Sequence, residues 1–358
     1  MTPVFVLGCE RSGSTWVANI LDARPDVELW MEPAADYAGL LPELADRNAW
    51  CAAPTEREVE SLRAGLARLA RAKYPLLYRP GRWPGLRAAD ARVAAAVRVV
   101  SRRATRRTPA WVARYELLNL HASRIPVRLQ TRKQRAPGRV VVKELRLQLK
   151  ARWLAGAFPA ARVLVTLRHP VAQVASISRL MAGGGLAELA RALRRFPDAV
   201  ASQPRLRQWV DPVRAAERAE DPAERLAVYW LVAYQTLLED LEACGLAHRV
   251  VRHEELASAP EAGAAELLAW CGLAPCPEVE RYVRWSSATE AARPAALDTA
   301  RHSRSVAARA QGAAAPELRA RVLECLERAA KTAPLHPALA AHLAAPEHRA
   351  ARLPEASR

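Results

Sequence analysis

Four consecutive apolar residues, Val4 to Leu7, run into a glycine-bounded stretch, Gly8 to Gly13, and then into a segment carrying Trp16, Val17, Ile20 and Leu21 on one helical face. A short apolar run closed by turn residues reads as a buried strand, and the 3.6-residue spacing after it reads as a helix. The alternation continues. A second short strand, Val27 to Met31, ends in Glu32-Pro33, and a third, Arg139 to Lys143, follows Pro137-Gly138. A helix over roughly Leu147 to Phe158 leads to a fourth strand, Arg162 to Leu167. Pro170, at a position suited to the first helical turn, opens a helix with Val171, Val174, Ala175 and Ile177. After the break at Gly183 to Gly185, residues 186–222 read as a helical excursion. A long apolar-striped helix, Ala223 to Ala243, then precedes a fifth strand, His248 to Arg252, and a helix over 258–273 ends near Gly272. From about 276 the chain is Ala-, Arg- and Pro-rich and helical where periodic.

Strands separated by helices imply an α/β fold in which a central parallel sheet carries helices on both faces. The expected organisation is one domain over 1–345, with helical insertions at about 34–135 and 182–222 and a flexible tail at 346–358. Sheets of this kind bind ligands beyond the carboxyl ends of their strands. Arg11, Glu32, Lys143 and Arg168 fall at or just past such ends, gathering three cations and one carboxylate on one edge.

Composition narrows the class. No apolar run among the 358 residues reaches the length of a membrane span, and the first strand at Val4 leaves no room for a cleaved signal, so the expected location is cytoplasmic. The six cysteines lack metal-ligand spacing, and neither a zinc site nor a disulfide framework is expected. A formal charge of +17 fits either a polyanionic substrate or arginines on solvated helical faces. Because the arginines are spread over many segments and no recognition motif accompanies them, no specific nucleic-acid partner is expected. Nothing in the sequence fixes the oligomeric state.

Two segments carry candidate chemistry. The first is the loop Gly8-Cys-Glu-Arg-Ser-Gly-Ser-Thr-Trp16. A strand, a glycine loop and a helix N-terminus together cradle an anion through backbone amides, which makes the fold one of the P-loop nucleotide-binding type. Ser14 stands where an ATPase P-loop has lysine, and the fixed positive charge is Arg11 instead, which argues against ordinary ATP chemistry. The second is Leu167-Arg-His-Pro with Ser176, which places an arginine at a strand end and a hydroxyl about a turn and a half into the following helix. That arrangement suits a second phosphate, whereas Ser178 turns to another face.

Together these segments resemble the two cofactor motifs of sulfotransferases that use 3'-phosphoadenosine-5'-phosphosulfate (PAPS), and Val27 to Pro33 with Val141-Val-Lys143 looks closest to the carbohydrate-type branch. Val250-Val-Arg-His-Glu-Glu-Leu256 is similar to the family's RYEDL-like strand end, and Thr299-Ala-Arg-His-Ser-Arg304 to a late segment that closes over the nucleotide. The resemblance implies that Arg11 with Ser12, Gly13, Ser14 and Thr15 grips the 5'-phosphosulfate, that Arg168 and Ser176 grip the 3'-phosphate, and that Arg304 covers the nucleotide. Trp16 belongs to the same motif, although its helical position suits core packing better than stacking on adenine. His169 stands where relatives carry Asp or Asn. The Lys-x-His base of the small-molecule branch is absent here, since Lys143 is followed by Glu144-Leu145.

Sulfuryl transfer is governed by positioning and by stabilisation of charge on the leaving oxygen. A sulfonate carries less charge than a terminal phosphate, so fixed cations suffice and no metal is expected. Lys143 is then expected to steady the transferring group and Glu32 to act as general base for an acceptor hydroxyl, with Glu144, on the opposite face of its strand, in reserve. The expected acceptor is a saccharide or glycosylated metabolite. The competing readings are a P-loop nucleotide kinase, which the missing lysine opposes, and a polyanion-binding protein with a degenerate nucleotide pocket.

Overall fold

A computed structural model of the protein describes residues 2–31, 55–64, 139–287 and 316–344, apart from positions 25, 58, 61, 146, 148, 184, 185 and 220. Five strands form one sheet: β1 (Val4–Leu7), β2 (Val27–Met31), β3 (Arg139–Glu144), β4 (Arg162–Leu167) and β5 (Ala247–Arg252). Their spatial order is β2-β3-β1-β4-β5. Every neighbouring pair is parallel, with Val4 of the central strand opposite Val141 on one side and Arg162 on the other.

Alternation along the strands feeds two cores. Phe5, Leu7, Val140, Val142, Val163, Val165 and Leu167 pack into one, and Val4, Val6, Val141 and Leu164 into the other. Burial on both sides is why these strands read as unbroken apolar runs. One face is covered by α1 (Ser14–Asp22), α8 (Pro260–Trp270) and α9 (Pro277–Ser287). The other carries α2 (Ala151–Ala157), α3 (Pro170–Ala182), α6 (Pro222–Ala243) and α10 (Pro316–Ala330). Between α3 and α6 the chain makes α4 (Ala187–Ala201), a 3-10 turn (Pro204–Trp209) and α5 (Val210–Arg218), so the excursion expected there is helical.

Helix α6 is buried over most of its circumference, including Tyr229, Trp230 and Tyr234 at 1% exposure or less. Its start is fixed by Pro222 in the first turn and by the Asp221 carboxylate, which accepts from the Ala223 amide at 2.8 Å.

Some boundaries differ from expectation. The helix expected over 258–273 is α8, and a short helix that was not expected, α7 (His253–Ser258), precedes it; Pro260, which has no amide to continue α7, opens α8. Helix α2 is shorter than the expected 147–158, and β3 runs one residue further, to Glu144. The last described helix is α11 (Pro337–Ala344). Most of the expected insertion at 34–135, and the tail at 346–358, lie outside the described residues.

Candidate anion site at the strand ends

The loop after β1 is shaped by two glycines that no other residue replaces. A methyl group on Gly8 would stand 2.2 Å from Thr166 Oγ1, and one on Gly13, whose φ is +96°, would stand 2.5 Å from His253 Nδ1. Hydroxyls then tie the loop to β4. Thr166 Oγ1 donates to the Leu7 carbonyl at 3.0 Å, so its 2.7 Å contact with Ser12 Oγ has the serine as donor. Tyr234 donates to the Thr166 carbonyl at 2.8 Å and accepts from the Cys9 amide at 3.1 Å, stapling the loop to β4 from α6. Gln173 donates to the Glu10 carbonyl at 2.7 Å, while Trp230 Nε1 is shared between Gln173 Oε1 and the Arg168 carbonyl. The buried Cys9 thiol is pushed well up, chiefly by desolvation, which keeps it protonated.

Helix α1 begins after Gly13 with no side-chain cap, and its first-turn amides, Ser14 and Thr15 among them, have no acceptor within the helix. That end of the dipole favours an anion. The cations stand beside it. Arg11 holds a left-handed backbone, φ +68°, and its Nε donates to Ser176 Oγ at 3.0 Å. Arg168 Nη1 donates to the Arg11 carbonyl at 3.1 Å. The two motifs, more than 150 residues apart in sequence, thus meet through two hydrogen bonds.

Arg168 is only 4% exposed, and desolvation lowers its pKa, with Glu254 opposing the shift and Arg179 adding to it. Glu254 also accepts from the His169 amide at 3.0 Å, holding the turn after β4. The Arg168 Nε, buried, makes no hydrogen bond among the described residues. His253 is buried beside Gly13 and Trp16, and desolvation, then the charges of Arg168 and Arg11, push its pKa down to about 3. It is a neutral imidazole at ordinary pH, and its buried Nε2 is likewise without a hydrogen bond among the described residues.

Arg11, Ser12, Gly13, Ser14, Thr15, Arg168 and Ser176 therefore share one rim. Arg11, expected at the 5' end of a nucleotide, reaches across to Ser176, expected at the 3' end, so the two sequence motifs adjoin. Trp16 is 1% exposed, donates to Ser286 Oγ at 2.9 Å and meets His253 edge-on, which makes it packing beneath the loop. Lys143 is 2% exposed and in register with Val6, and Glu144, in register with Leu7, takes the opposite face. Met31, the last described residue of β2, pairs with Lys143, whereas Glu32 and Arg304 lie outside the described residues.

Sequence reasoning did not single out Thr166, Gln173 or Tyr234. Thr166 had a local signal, a hydroxyl inside an apolar strand, and Glu254 belonged to the RYEDL-like stretch. Tyr234 had none, because it arrives from a helix remote in sequence.

Residues 3–278 match the profile of the sulfotransferase family. No curated protein matches the sequence. Among solved structures, the sulfotransferase domain from the curacin biosynthetic pathway is similar at 13% identity, over 92% of this chain and 97% of that one, with a TM-score of 0.42. A sulfotransferase from Alicyclobacillus acidocaldarius is similar at 14% identity, over 93% and 94%, with a TM-score of 0.40. The sulfotransferase domain of the Synechococcus PCC 7002 olefin synthase gives 13%, 91% and 94%, and 0.38.

Proposed function

The chain belongs to the sulfotransferase family, and from that premise we propose that it moves a sulfuryl group from PAPS to a hydroxyl acceptor, a saccharide or glycosylated metabolite, by in-line displacement. The observation that carries this reading is the pair of hydrogen bonds joining Arg11 to Ser176 and Arg168 to the Arg11 carbonyl. They bring two anion-binding motifs to one rim, as a nucleotide with phosphate groups at both ends requires. A buried guanidinium with an unused Nε, Arg168, fits an anionic ligand there.

In this reading Arg11, with the hydroxyls and amides of Ser12 to Thr15, binds the 5'-phosphosulfate, and Arg168 and Ser176 bind the 3'-phosphate. Glu32, directly after β2, accepts the proton of the acceptor hydroxyl as its oxygen forms the new bond to sulfur. The bond from sulfur to the bridging oxygen breaks, and Lys143, on the strand beside β2, balances the charge left on that oxygen. Arg304 closes over the nucleotide. Trp16 supports the loop from below.

Calorimetry tests the donor reading. Adenosine 3',5'-bisphosphate should bind at least tenfold more tightly than AMP, and Arg168→Ala should weaken the bisphosphate far more than AMP. Equal affinities, or equal weakening, would refute the 3'-phosphate site. For the base, Glu32→Gln should lower kcat by about 10²-fold or more, and turnover within a few-fold of the parent would show that it is wrongly named.

A further inference from the structure

The opposite edge of the sheet, where the strands begin, holds a cluster of arginines that the donor rim does not use. Helix α8 ends there in a glycine cap: Gly272 has φ +66°, the Leu273 amide donates to the Leu268 carbonyl, and the Gly272 amide to the Ala269 carbonyl. Two carbonyls of that turn remain, and the first residues of β3 and β4 take them. Arg139 Nη1 donates to the Cys271 carbonyl at 2.7 Å, and Arg162 Nη1 donates to the Trp270 carbonyl. The end of α8 is thereby satisfied.

Charge is not satisfied. A helix C-terminus presents about half a negative charge, and two full positive charges stand against it. Among the described residues neither Arg139 nor Arg162 has an ion-pair partner, whereas Arg249 has Glu266 and Arg24 has Asp26. The two guanidinium ends converge, since a methyl group on Gly272 would stand 3.6 Å from Arg139 Nη1 and 3.9 Å from Arg162 Nη1. Each guanidinium has five N–H donors, and the single hydrogen bond found for each leaves most of them for another acceptor. Both arginines are exposed and line an open surface depression of about 430 Å³, with Thr2, Pro3, Val4, Ala160 and Gly272 as the remaining lining.

We propose that Arg139 and Arg162 form a second anion site, on the sheet edge opposite the donor rim, for an oxyanion of the phosphate class. Two guanidinium forks held by the same helix end are a preorganised receptor for an acceptor with several oxygens. The four residues of β1 put this site about 13 Å from the donor loop, so its occupant is a different molecule from the donor. Free phosphate and the phosphoryl end of a separate nucleotide share this chemistry.

The test is a titration of inorganic phosphate into the full chain saturated with adenosine 3',5'-bisphosphate, at constant ionic strength. One equivalent of phosphate should bind, and Arg139→Gln/Arg162→Gln should weaken it at least tenfold while leaving bisphosphate affinity within twofold. Arg139→Lys/Arg162→Lys, which keeps both charges, should weaken phosphate less than the glutamine pair. The single variant Arg162→Gln serves if the double variant does not fold. No phosphate binding by the parent chain, or equal binding by parent and glutamine variants, would overturn the proposal. Displacement of the phosphate by ADP identifies a nucleotide as the occupant, and no displacement identifies the free ion. Should the bisphosphate itself fail to bind, the donor reading falls, and the parent-minus-variant difference for phosphate alone still decides this site.

Discussion

His253 meets three parts of the rim at once: the left-handed Gly13, the Trp16 ring, and the field of Arg11 and Arg168. Its pKa of about 3 lies below the 6.5 of an unfolded histidine. As pH falls through that window the unfolded chain takes up a proton that the native one refuses, so native stability declines by about 1.4 kcal/mol per pH unit from this group. It should be fully retained above pH 6.5. Urea midpoints from pH 7 to 5 should fall more steeply for the parent than for His253→Gln, and parallel slopes would refute the neutral, buried imidazole. The same contact makes Gly13→Ala severe. A left-handed backbone and an imidazole 2.5 Å from the new methyl together should cost about 2–4 kcal/mol in chemical denaturation.

At the scale of elements, the loop after β1 is held from α6, whose Tyr234 bridges the Cys9 amide and the Thr166 carbonyl. Tyr234→Phe leaves two buried backbone groups without that partner and should destabilise the fold by about 1–3 kcal/mol. The differential melt of parent and variant measures it, and an unchanged midpoint would mean that the staple carries no energy. Such contacts mark the limit of what the sequence discloses. The central strands were legible because burial on both faces leaves apolar runs, and β1, β2 and β4 have the bounds expected from the sequence. Helix α7 was not read because its six residues are too few to show a helical period. Arg11, Arg168 and Ser176 could be named because a strand end and a helical spacing are local patterns. Tyr234, Gln173 and the wedge at His253 could not, since each depends on contacts between elements far apart in the chain.

Across the whole molecule, the fixed positive charges that meet at the rim are arginines. Arg11 and Arg168 stand at the helix N-terminus, whereas the two carboxylates in the same turns are already engaged, Glu10 by Tyr229 and Glu254 by the His169 amide. Among the described residues no group of three or more His, Cys, Asp or Glu side chains is arranged to hold a metal ion. In the proposed mechanism Lys143 balances the charge on the leaving oxygen while Arg11 and Arg168 hold the anionic groups of the donor, all of them fixed side chains preorganised for negative charge. Turnover should stay within twofold when EDTA is added, and donor affinity should weaken with rising salt as the arginine field is screened. Both follow from the same arrangement. A rate that collapses with chelator and returns with magnesium would remove that role from Lys143, even if the contribution of Arg11 and Arg168 to nucleotide binding survived.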